Sequence, residues 1–253
     1  MKKSFLNAKT PFITEMLQAP TAKQTELKIR NAIANGATAI GFQMNLFQKE
    51  YRTEETLSAL FAAAENKPVY FTNYRGELNK GMSDEELMEG LLFGLKCGAT
   101  LVDVMGDAFD RAPEELTMDE KAIKKQMEFI DEVHKRGGEV LMSSHINKFR
   151  SPERVLEIAL EQQRRGTDIV KIVTGADTQE EELKNLEICH LLKKELKVPF
   201  LFLSGGKYNY LHRTIGPALG VCMWLCFREY DETTYSGPPL LANVLKIKHA
   251  MKL

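Results

Sequence analysis

The chain has 253 residues, of which 43% are apolar, and a formal net charge of -1 that results from 34 Lys and Arg against 35 Asp and Glu. This length and composition are typical of a globular protein with one large domain or two small ones. The balanced charge provides no basic surplus for nucleic acid and no acidic tail, which argues against a polyanion-binding protein.

Neither a membrane span nor a secretory signal is predicted. No segment approaches the roughly 18 apolar residues that a transmembrane helix needs. The first residues, Met1–Lys9, are basic but lack the apolar core of a signal peptide. We therefore expect a cytoplasmic protein that does not bind a membrane.

The four cysteines predict neither a disulfide framework nor a zinc site. Cys97, Cys189, Cys222 and Cys226 include no C-x-x-C pair and have no closely spaced histidine. We expect buried thiols that pack as small apolar side chains.

Short apolar runs recur along the chain at a spacing of about 30 residues. Each run is followed by polar turn residues and then by a segment with the periodicity of a helix. The predicted strands are 11–17, 38–42, 69–72, 101–104, 139–142, 169–173, 200–203 and 221–225.

The helix boundaries are marked by capping residues. Four pairs have the spacing of a capping box, namely Thr21 with Gln24, Ser83 with Glu86, Thr117 with Glu120 and Thr178 with Glu181. Ser151 followed by Pro152 predicts a fifth helix start. The predicted helix ends are Gly36, Gly98, Gly137 and Gly166, because glycine readily adopts the left-handed cap conformation.

The strands are nearly continuous apolar runs, which is typical of a parallel sheet covered by helices on both faces. Eight strand–helix units in about 250 residues match the size of a (β/α)8 TIM barrel. A doubly wound sheet usually has fewer strands at this length, and the first βα turn lacks the G-x-G-x-x-G motif. No linker or change in composition divides the chain. We therefore predict an α/β fold in which residues 1–253 form a single (β/α)8 barrel domain.

Lys171 lies inside the apolar run of the sixth strand, between Ile169-Val170 and Ile172-Val173. Burial on both faces of the strand would remove its amine from water, which disfavours the ammonium form and leaves more free amine to attack a carbonyl. The alternative is an ion pair with an interior carboxylate, for which Asp103 in the fourth strand is the candidate. The strand context leaves both interpretations open.

His145 closes the fifth strand, one unit before Lys171. The active site of a TIM barrel lies at the carboxyl ends of its strands, so the two side chains could reach the same barrel mouth. An imidazole transfers protons readily near neutral pH. A polar cap on the strand is the structural alternative, and the neighbouring lysine favours a role in catalysis.

The loop after the seventh strand is rich in glycine and in hydrogen-bond donors. It runs from Ser204-Gly205-Gly206-Lys207 to Arg213-Thr214-Ile215-Gly216, and it also contains His212. Barrels often hold anions at this position. Arg213 could bind a carboxylate or a phosphate through two hydrogen bonds.

Several segments together are similar to a known family. They are 71–75, 101–104, 140–145, 151–153, 166–173, 203–206, 212–216 and 235–239. In this order they resemble type I 3-dehydroquinate dehydratase. The last segment, Tyr235-Ser236-Gly237-Pro238-Pro239, resembles the Ser-Ala-Pro-Gly-Gln loop that closes the site in that family.

The resemblance implies conversion of 3-dehydroquinate to 3-dehydroshikimate and water, a step of the shikimate pathway to aromatic amino acids. Lys171 would form an imine with the substrate ketone, and His145 would act as general acid and base. The residues that the resemblance assigns to substrate binding are Arg213, Ser236, Arg75 and Gln43. Of these, Arg213 would hold the substrate carboxylate and Ser236 would belong to the closing loop. No metal and no diffusible cofactor are implied.

The sequence also departs from the family pattern. The second strand reads Gln43-Met44-Asn45 where the family has Glu, an aromatic or aliphatic residue and Arg, which bind substrate hydroxyls. The segment 76–81 has no clean match to the Glu-Gly-Gly that supports the catalytic histidine, although Glu77 is close enough to substitute. Two further family positions read Met105 instead of Glu and Leu240 instead of Gln. Such changes predict an altered substrate specificity more than altered bond chemistry.

Two other functions remain open. A Schiff-base aldolase on the same barrel would act on a different keto acid or on a phosphorylated sugar, with a phosphate bound near Gly205 and Gly206. A catalytically silent relative would have kept the barrel without the reaction. In each catalytic case the expected partner is a small keto or hydroxy acid or a phosphorylated sugar, and a homodimer is possible by analogy with the family.

Overall fold

Parallel strands alternate with helices in the computed structural model, which describes residues 3–6, 9–231, 234 and 237–253. The strands are β1 Phe12–Leu17, β2 Ala39–Gln43, β3 Val69–Thr72, β4 Leu101–Met105, β5 Glu139–His145, β6 Ile169–Gly175, β7 Phe200–Gly205 and β8 Met223–Cys226. The α-helices are α1 Ala22–Ala34, α2 Glu54–Ala62, α3 Asp84–Lys96, α4 Glu120–Lys135, α5 Pro152–Arg164, α6 Gln179–Glu195, α7 Tyr210–Ile215 and α8 Leu241–Ala250.

The strands form one sheet in the order β7-β6-β5-β4-β3-β2-β1-β8. Strand β8 returns to pair with β1, where Phe12 lies opposite Met223 and Glu15 lies opposite Cys226. A single bridge from Phe200 to Val221 joins the two ends of the sheet among the described residues. The predicted (β/α)8 barrel is confirmed, and it is closed at every strand pair except for this short seam.

Six strands extend beyond their predicted ends at the carboxyl edge of the barrel, and β5, β6 and β7 do so by two residues or more. Strand β5 continues through Ser143 and Ser144 to His145, which lies opposite Val173 of β6. The apolar run ends at Met142, but both serine hydroxyls are buried and hydrogen-bonded. Ser143 donates to Asp103 at 2.6 Å, and Ser144 donates to the Glu115 carbonyl at 3.0 Å. A strand can therefore continue past its apolar residues where its polar groups have partners.

Most predicted helix boundaries are confirmed. Ser83 and Thr178 form complete capping boxes, and Ser151 caps α5. All four predicted glycine ends have a positive φ. Thr21 caps α1, but the Gln24 side chain accepts from the Thr21 hydroxyl, so the second half of that box is missing.

The predicted cap at Thr117 is wrong. Helix α4 begins at Glu120 and is capped by Asp119, whose carboxylate accepts from the Ala122 amide at 2.8 Å. The Thr117 hydroxyl instead donates to Asp110 at 2.5 Å. An aspartate one residue before the helix is as good a cap as threonine, and spacing alone does not distinguish the two.

Helix α3 approaches the sheet closely because it carries Gly94. A Cβ built on Gly94 would lie 2.6 Å from Cε1 of Phe71 on β3. The Phe71 ring in turn stacks on Phe42 of β2, with ring centroids 5.7 Å apart. The glycine therefore fixes the distance between this helix and the outer face of the barrel.

Among the described residues, no helix has the length and apolar character required to cross a membrane. The four cysteines are free thiols, as predicted. Cys97, Cys189 and Cys226 are buried, whereas Cys222 is half-buried.

Candidate active site

A cavity of about 460 Å³ opens at the carboxyl ends of the strands. Its described lining residues come from β1, β2, β3, β5, β6, β7 and β8 and from the loops that follow them. Four of the predicted site residues line it, namely Lys171, His145, Arg213 and Gln43. The barrel thus brings together side chains that are far apart in the sequence.

Lys171 lies on the inner face of β6 and is 4% exposed. Its Nζ donates to three oxygen atoms, the hydroxyl of Tyr74 at 2.7 Å, the hydroxyl of Tyr70 at 3.0 Å and Oδ2 of Asp103 at 3.1 Å. The predicted interior position and the predicted partner Asp103 are both confirmed. The two interpretations of Lys171 are therefore compatible, since the lysine is paired with a carboxylate and also lines the cavity.

Asp103 is the buried anion behind Lys171, with 1% exposure. Burial alone would raise the pKa of its carboxyl, but the charges of Lys171 and His145 and several hydrogen bonds bring that pKa below its usual value. The carboxylate is therefore ionised at neutral pH.

Both tyrosines beside Lys171 are held in the hydroxyl form. Tyr74 donates to Asp103 Oδ2 at 2.5 Å, and Tyr70 donates to the same oxygen. Burial and the charge of Asp103 raise the pKa of each phenol well above its usual value. Each hydroxyl can therefore accept a hydrogen bond from Lys171 while it donates one to Asp103.

His145 is paired with Glu115, a residue to which the sequence assigned no role. Oε2 of Glu115 lies 2.6 Å from Nδ1 of His145 and accepts from its backbone amide at 2.5 Å. Glu77, the candidate that the sequence offered for this role, lies exposed in a turn between β3 and α3, and Glu115 is the carboxylate that contacts the histidine. With Nδ1–H donated to Glu115, Nε2 is left to accept a proton.

Glu115 reaches His145 from a strained turn, Pro113–Glu115, between β4 and α4. Glu114 and Glu115 have φ values of 63° and 50°, which non-glycine residues rarely adopt. The Glu114 carboxylate pairs with Arg150 and, at 2.7 Å, with Arg154. These ion pairs connect the turn to the segment that begins α5, and they offset the backbone strain.

Arg213 lies on α7 and is 8% exposed. Its Nε donates to the carbonyl of Ser204 at 2.6 Å. The adjacent His212 is buried, which lowers the pKa of its imidazole to about 3, and its amide donates to Glu182 at 2.7 Å. These bonds attach α7 to β7 and α6, so Arg213 faces the cavity from a short helix rather than from the predicted loop.

The wall formed by β1, β2 and β3 carries neutral polar groups. Nε2 of Gln18 donates to Oε1 of Gln43 at 2.8 Å. Thr72 lies opposite Gln43 in the sheet, and its buried hydroxyl has no hydrogen-bond partner among the described residues. Gln18 and Thr72 were not predicted, although Thr72 is the residue after the last apolar position of the third strand. A buried hydroxyl without a partner suits a site that receives a polar group of a ligand.

Arg75 and Ser236 differ from the other predicted residues. Arg75 is not among the described residues that line the cavity, because its guanidinium pairs with Asp84 and with Asp107, each at 2.6 Å. The two carboxylates hold the guanidinium in this structure, and the assignment of Arg75 to substrate binding stays a prediction. Ser236 lies outside the described residues, but its neighbours Gly237 and Pro238 line the cavity.

The model of the family described as type I 3-dehydroquinase matches residues 15–228. The chain belongs to the type I 3-dehydroquinase family. It is therefore an enzyme, a hydro-lyase, and an imine mechanism is characteristic of this family. The matched span includes Lys171, His145 and Arg213 and ends before Ser236.

The fold of the chain is similar to those of solved 3-dehydroquinate dehydratases. The enzyme from Geobacillus kaustophilus aligns over 99% of this chain and 96% of its own, with 14% identity and a TM-score of 0.84. The type I enzyme from Clostridium difficile, solved with covalently modified comenic acid, aligns over 97% and 94%, with 16% identity and a TM-score of 0.81. The enzyme from Enterococcus faecalis aligns over 99% of each chain, with 16% identity and a TM-score of 0.77. A comparison with curated proteins found no significant match.

Proposed function

We propose that this protein dehydrates 3-dehydroquinate to 3-dehydroshikimate through an imine on Lys171. The observation that carries the proposal is the position of Lys171 Nζ, buried at the base of the cavity that His145 also lines. An amine in such a position can attack a ketone that enters from the cavity. The hydrogen-bonded pair of His145 and Glu115 supplies a general base in the same space.

The reaction divides into an imine step and an elimination step. Lys171 condenses with the ketone and releases water, and the protonated imine withdraws electrons from the adjacent carbon. Nε2 of His145 then removes a proton from that carbon and returns it to the hydroxyl that leaves from the next carbon. Hydrolysis of the product imine restores the lysine.

Substrate binding is assigned to opposite walls of the cavity. Arg213 would hold the carboxylate through its guanidinium. Gln43, with Gln18 and Thr72 beside it, would bind uncharged hydroxyls of the ring, because amides and hydroxyls both donate and accept. The contribution of Ser236 to a closing loop stays a prediction from the sequence.

Borohydride trapping tests the proposal. The protein is incubated with 3-dehydroquinate and borohydride, the intact mass is measured, and peptide mapping locates the adduct. We expect an adduct on Lys171 and, without borohydride, the appearance of enone absorbance. Lys171→Met should abolish both signals, whereas Lys184→Met, at an exposed lysine of α6, should leave them unchanged.

The same experiment separates the alternatives. If an adduct forms on Lys171 only with another keto acid or with a sugar phosphate, the imine mechanism is supported but 3-dehydroquinate is not the substrate. The aldolase alternative predicts this result. No adduct with any carbonyl compound would favour a catalytically silent barrel. A cytoplasmic location, the absence of nucleic-acid binding and a homodimer stay predictions from the sequence.

A further inference from the structure

Gln162 is a fully buried amide that binds the backbone of Lys171 from outside the cavity. It lies on α5, is 0% exposed and is not among the described residues that line the cavity. Its Oε1 accepts from the Lys171 amide at 3.2 Å, and its Nε2 donates to the Lys171 carbonyl at 3.2 Å. One side chain therefore holds both polar backbone groups of the residue that would form the imine.

The same amide is connected to the residues that hold His145. Nε2 of Gln162 also donates to Oγ of Ser144 at 3.0 Å, and that hydroxyl donates to the Glu115 carbonyl at 3.0 Å. Ser144 precedes His145 on β5, and the Glu115 carboxylate binds the His145 ring. A continuous chain of hydrogen bonds therefore joins the Lys171 backbone to Glu115.

The partners of Gln162 use its whole hydrogen-bonding capacity and determine its orientation. A side-chain amide has two N–H donors and one carbonyl oxygen. One N–H of Gln162 is donated to the Lys171 carbonyl and the other to Ser144, while the oxygen accepts from the Lys171 amide. A rotation of the amide by 180° would place its oxygen against the Lys171 carbonyl. A glutamate or an apolar side chain cannot make this set of bonds.

The relative position of β5 and β6 matters because residues of both strands must act on one ligand. The substrate would be attached to Lys171 on β6, whereas His145 on β5 would move its protons. Such reactions depend steeply on geometry, and a displacement of about 1 Å can cost about 100-fold in rate. The turn that carries Glu115 has a strained backbone, so its position depends on contacts with its surroundings.

We propose that Gln162 is a positioning residue that keeps the pair of His145 and Glu115 aligned with Lys171. The proposal rests on the proposed function, because it assumes an imine on Lys171 and proton transfer by His145. Gln162 touches none of the reacting atoms and acts through the Lys171 backbone and through Ser144. Without Gln162, Glu115 is no longer connected to Lys171, and the imidazole spends less time in the geometry that proton transfer needs.

The residues assigned to substrate binding lie on elements that this chain of hydrogen bonds does not join. Arg213 lies on α7, and Gln43 lies at the end of β2. Loss of Gln162 should therefore lower kcat and leave KM nearly unchanged, since binding is retained while the transition state is less well stabilised.

The loop that carries Glu115 has a second support that does not involve Gln162. The guanidinium of Arg165, a residue with 1% exposure, donates to the Gly106 carbonyl at 2.9 Å and to the Thr117 carbonyl at 2.5 Å. These two carbonyls lie on either side of the Glu115 turn in the chain. We therefore expect this loop to stay folded in Gln162→Met, whose side chain has a similar length and no amide.

Steady-state kinetics with 3-dehydroquinate, on protein whose folded fraction is known from urea unfolding, test the proposal. Gln162→Met should lower kcat by about 10- to 100-fold and change KM by less than about 2-fold. Gln163→Met is the matched control on the same helix, because its amide binds the Lys197 backbone at 2.7 Å, and it should match wild type.

A double-mutant cycle with Ser144→Ala separates positioning from a loss of stability. Ser144→Ala breaks the chain at its second link and should lower kcat on its own. Added to Gln162→Met, it should lower kcat by less than about a further 2-fold, because residues that act as a unit are not additive. Two effects that multiply, or a fall in KM-independent activity that the unfolded fraction fully explains, would overturn the proposal.

The remaining outcomes distinguish this role from the proposed function. If wild type converts 3-dehydroquinate and Gln162→Met keeps the wild-type kcat, only the positioning role is wrong. If Gln162→Met does not fold, Ser144→Ala alone decides, and an unchanged kcat in that variant contradicts the role. If the wild-type protein traps no adduct with any carbonyl compound, the proposed function fails, and the role of Gln162 fails with it.

Discussion

Glu115 is the carboxylate that orients His145, and the two residues are 30 positions apart in the chain. Glu115→Gln should lower kcat by about 10- to 100-fold with little change in KM, because the amide fixes the imidazole less firmly and stabilises its charged form less. Steady-state kinetics measure the effect. Glu77→Gln, at the exposed glutamate near the family's expected position, is the control and should match wild type. A loss of kcat in Glu77→Gln instead would restore the expectation from the sequence.

Glu15 on β1 is a buried carboxyl outside the cavity lining, with 2% exposure. Its Oε2 has no hydrogen-bond partner among the described residues. Burial raises its pKa from 4.5 to about 7, against the lowering effect of Arg228 and Lys28. The folded state therefore binds this proton more tightly than the unfolded state does, and the free energy of unfolding should fall as the pH rises from 4.5 to about 7.

Glu15→Gln tests this pH dependence, since glutamine has a similar shape and does not ionise. The variant should be more stable than wild type at about pH 8, by up to about 3 kcal/mol, and the difference should shrink at about pH 5. Urea unfolding at both pH values measures it. Glu50→Gln, at an exposed glutamate, should show no such difference. A constant difference between Glu15→Gln and wild type at both pH values would contradict the assignment.

Strands and helices were predictable where a pattern of neighbouring residues in the sequence determines their boundaries. The apolar runs located all eight strands, and the capping residues located the starts of α1, α3, α5 and α6, because a first-turn amide needs a partner close in sequence. The boundaries that differed depend on tertiary partners. The Ser143 and Ser144 hydroxyls find acceptors on β4 and on the turn after it, which no local pattern shows.

The site residues also divide into those that a local sequence pattern predicts and those that depend on tertiary contacts. Lys171 and His145 were predicted because a polar residue in an apolar strand is visible in the sequence. Tyr70 was not, since a tyrosine in such a strand looks like an ordinary core residue. Glu115 was missed because it reaches the site through a strained turn. The ion pairs of Arg75 were not predicted, because they depend on where Asp84 and Asp107 lie in the fold.

The close approach of α3 to β3 at Gly94 gives a prediction about packing. Gly94→Ala would gain about 1 kcal/mol of helix propensity. The added methyl, however, would lie 2.6 Å from the Phe71 ring, and overpacking of a filled core costs about 1 to 3 kcal/mol. We expect net destabilisation in thermal or urea unfolding, with Glu89→Ala on the exposed face of α3 close to wild type. A more stable Gly94→Ala would show that Phe71 moves aside freely.

Among the described residues, the pairing between adjacent strands is shortest at the junction of β7 and β8. Adjacent strands elsewhere share a continuous register, such as the five aligned pairs of β5 and β6. Among the described residues, the β7–β8 seam has one bridge, with the Cys222 amide donating to the Phe200 carbonyl at 2.9 Å. Further along β7, the Ser204 amide donates to the His212 ring at 3.3 Å instead of to a strand. Helix α7, which carries Arg213, thus takes the place of a neighbouring strand at the mouth of the barrel.

This seam predicts where the native barrel opens first. Fewer strand hydrogen bonds hold β8 on one side, and local opening is easiest where such bonds are few. Amide hydrogen exchange followed by mass spectrometry should show faster exchange in a peptide over Met223–Cys226 than in one over Glu139–His145. Because Arg213 adjoins the seam, bound substrate that contacts Arg213 should slow the exchange of β8 more than that of β5. Equal protection of both strands without ligand would mean that the helices, rather than the strand ladder, hold the barrel closed.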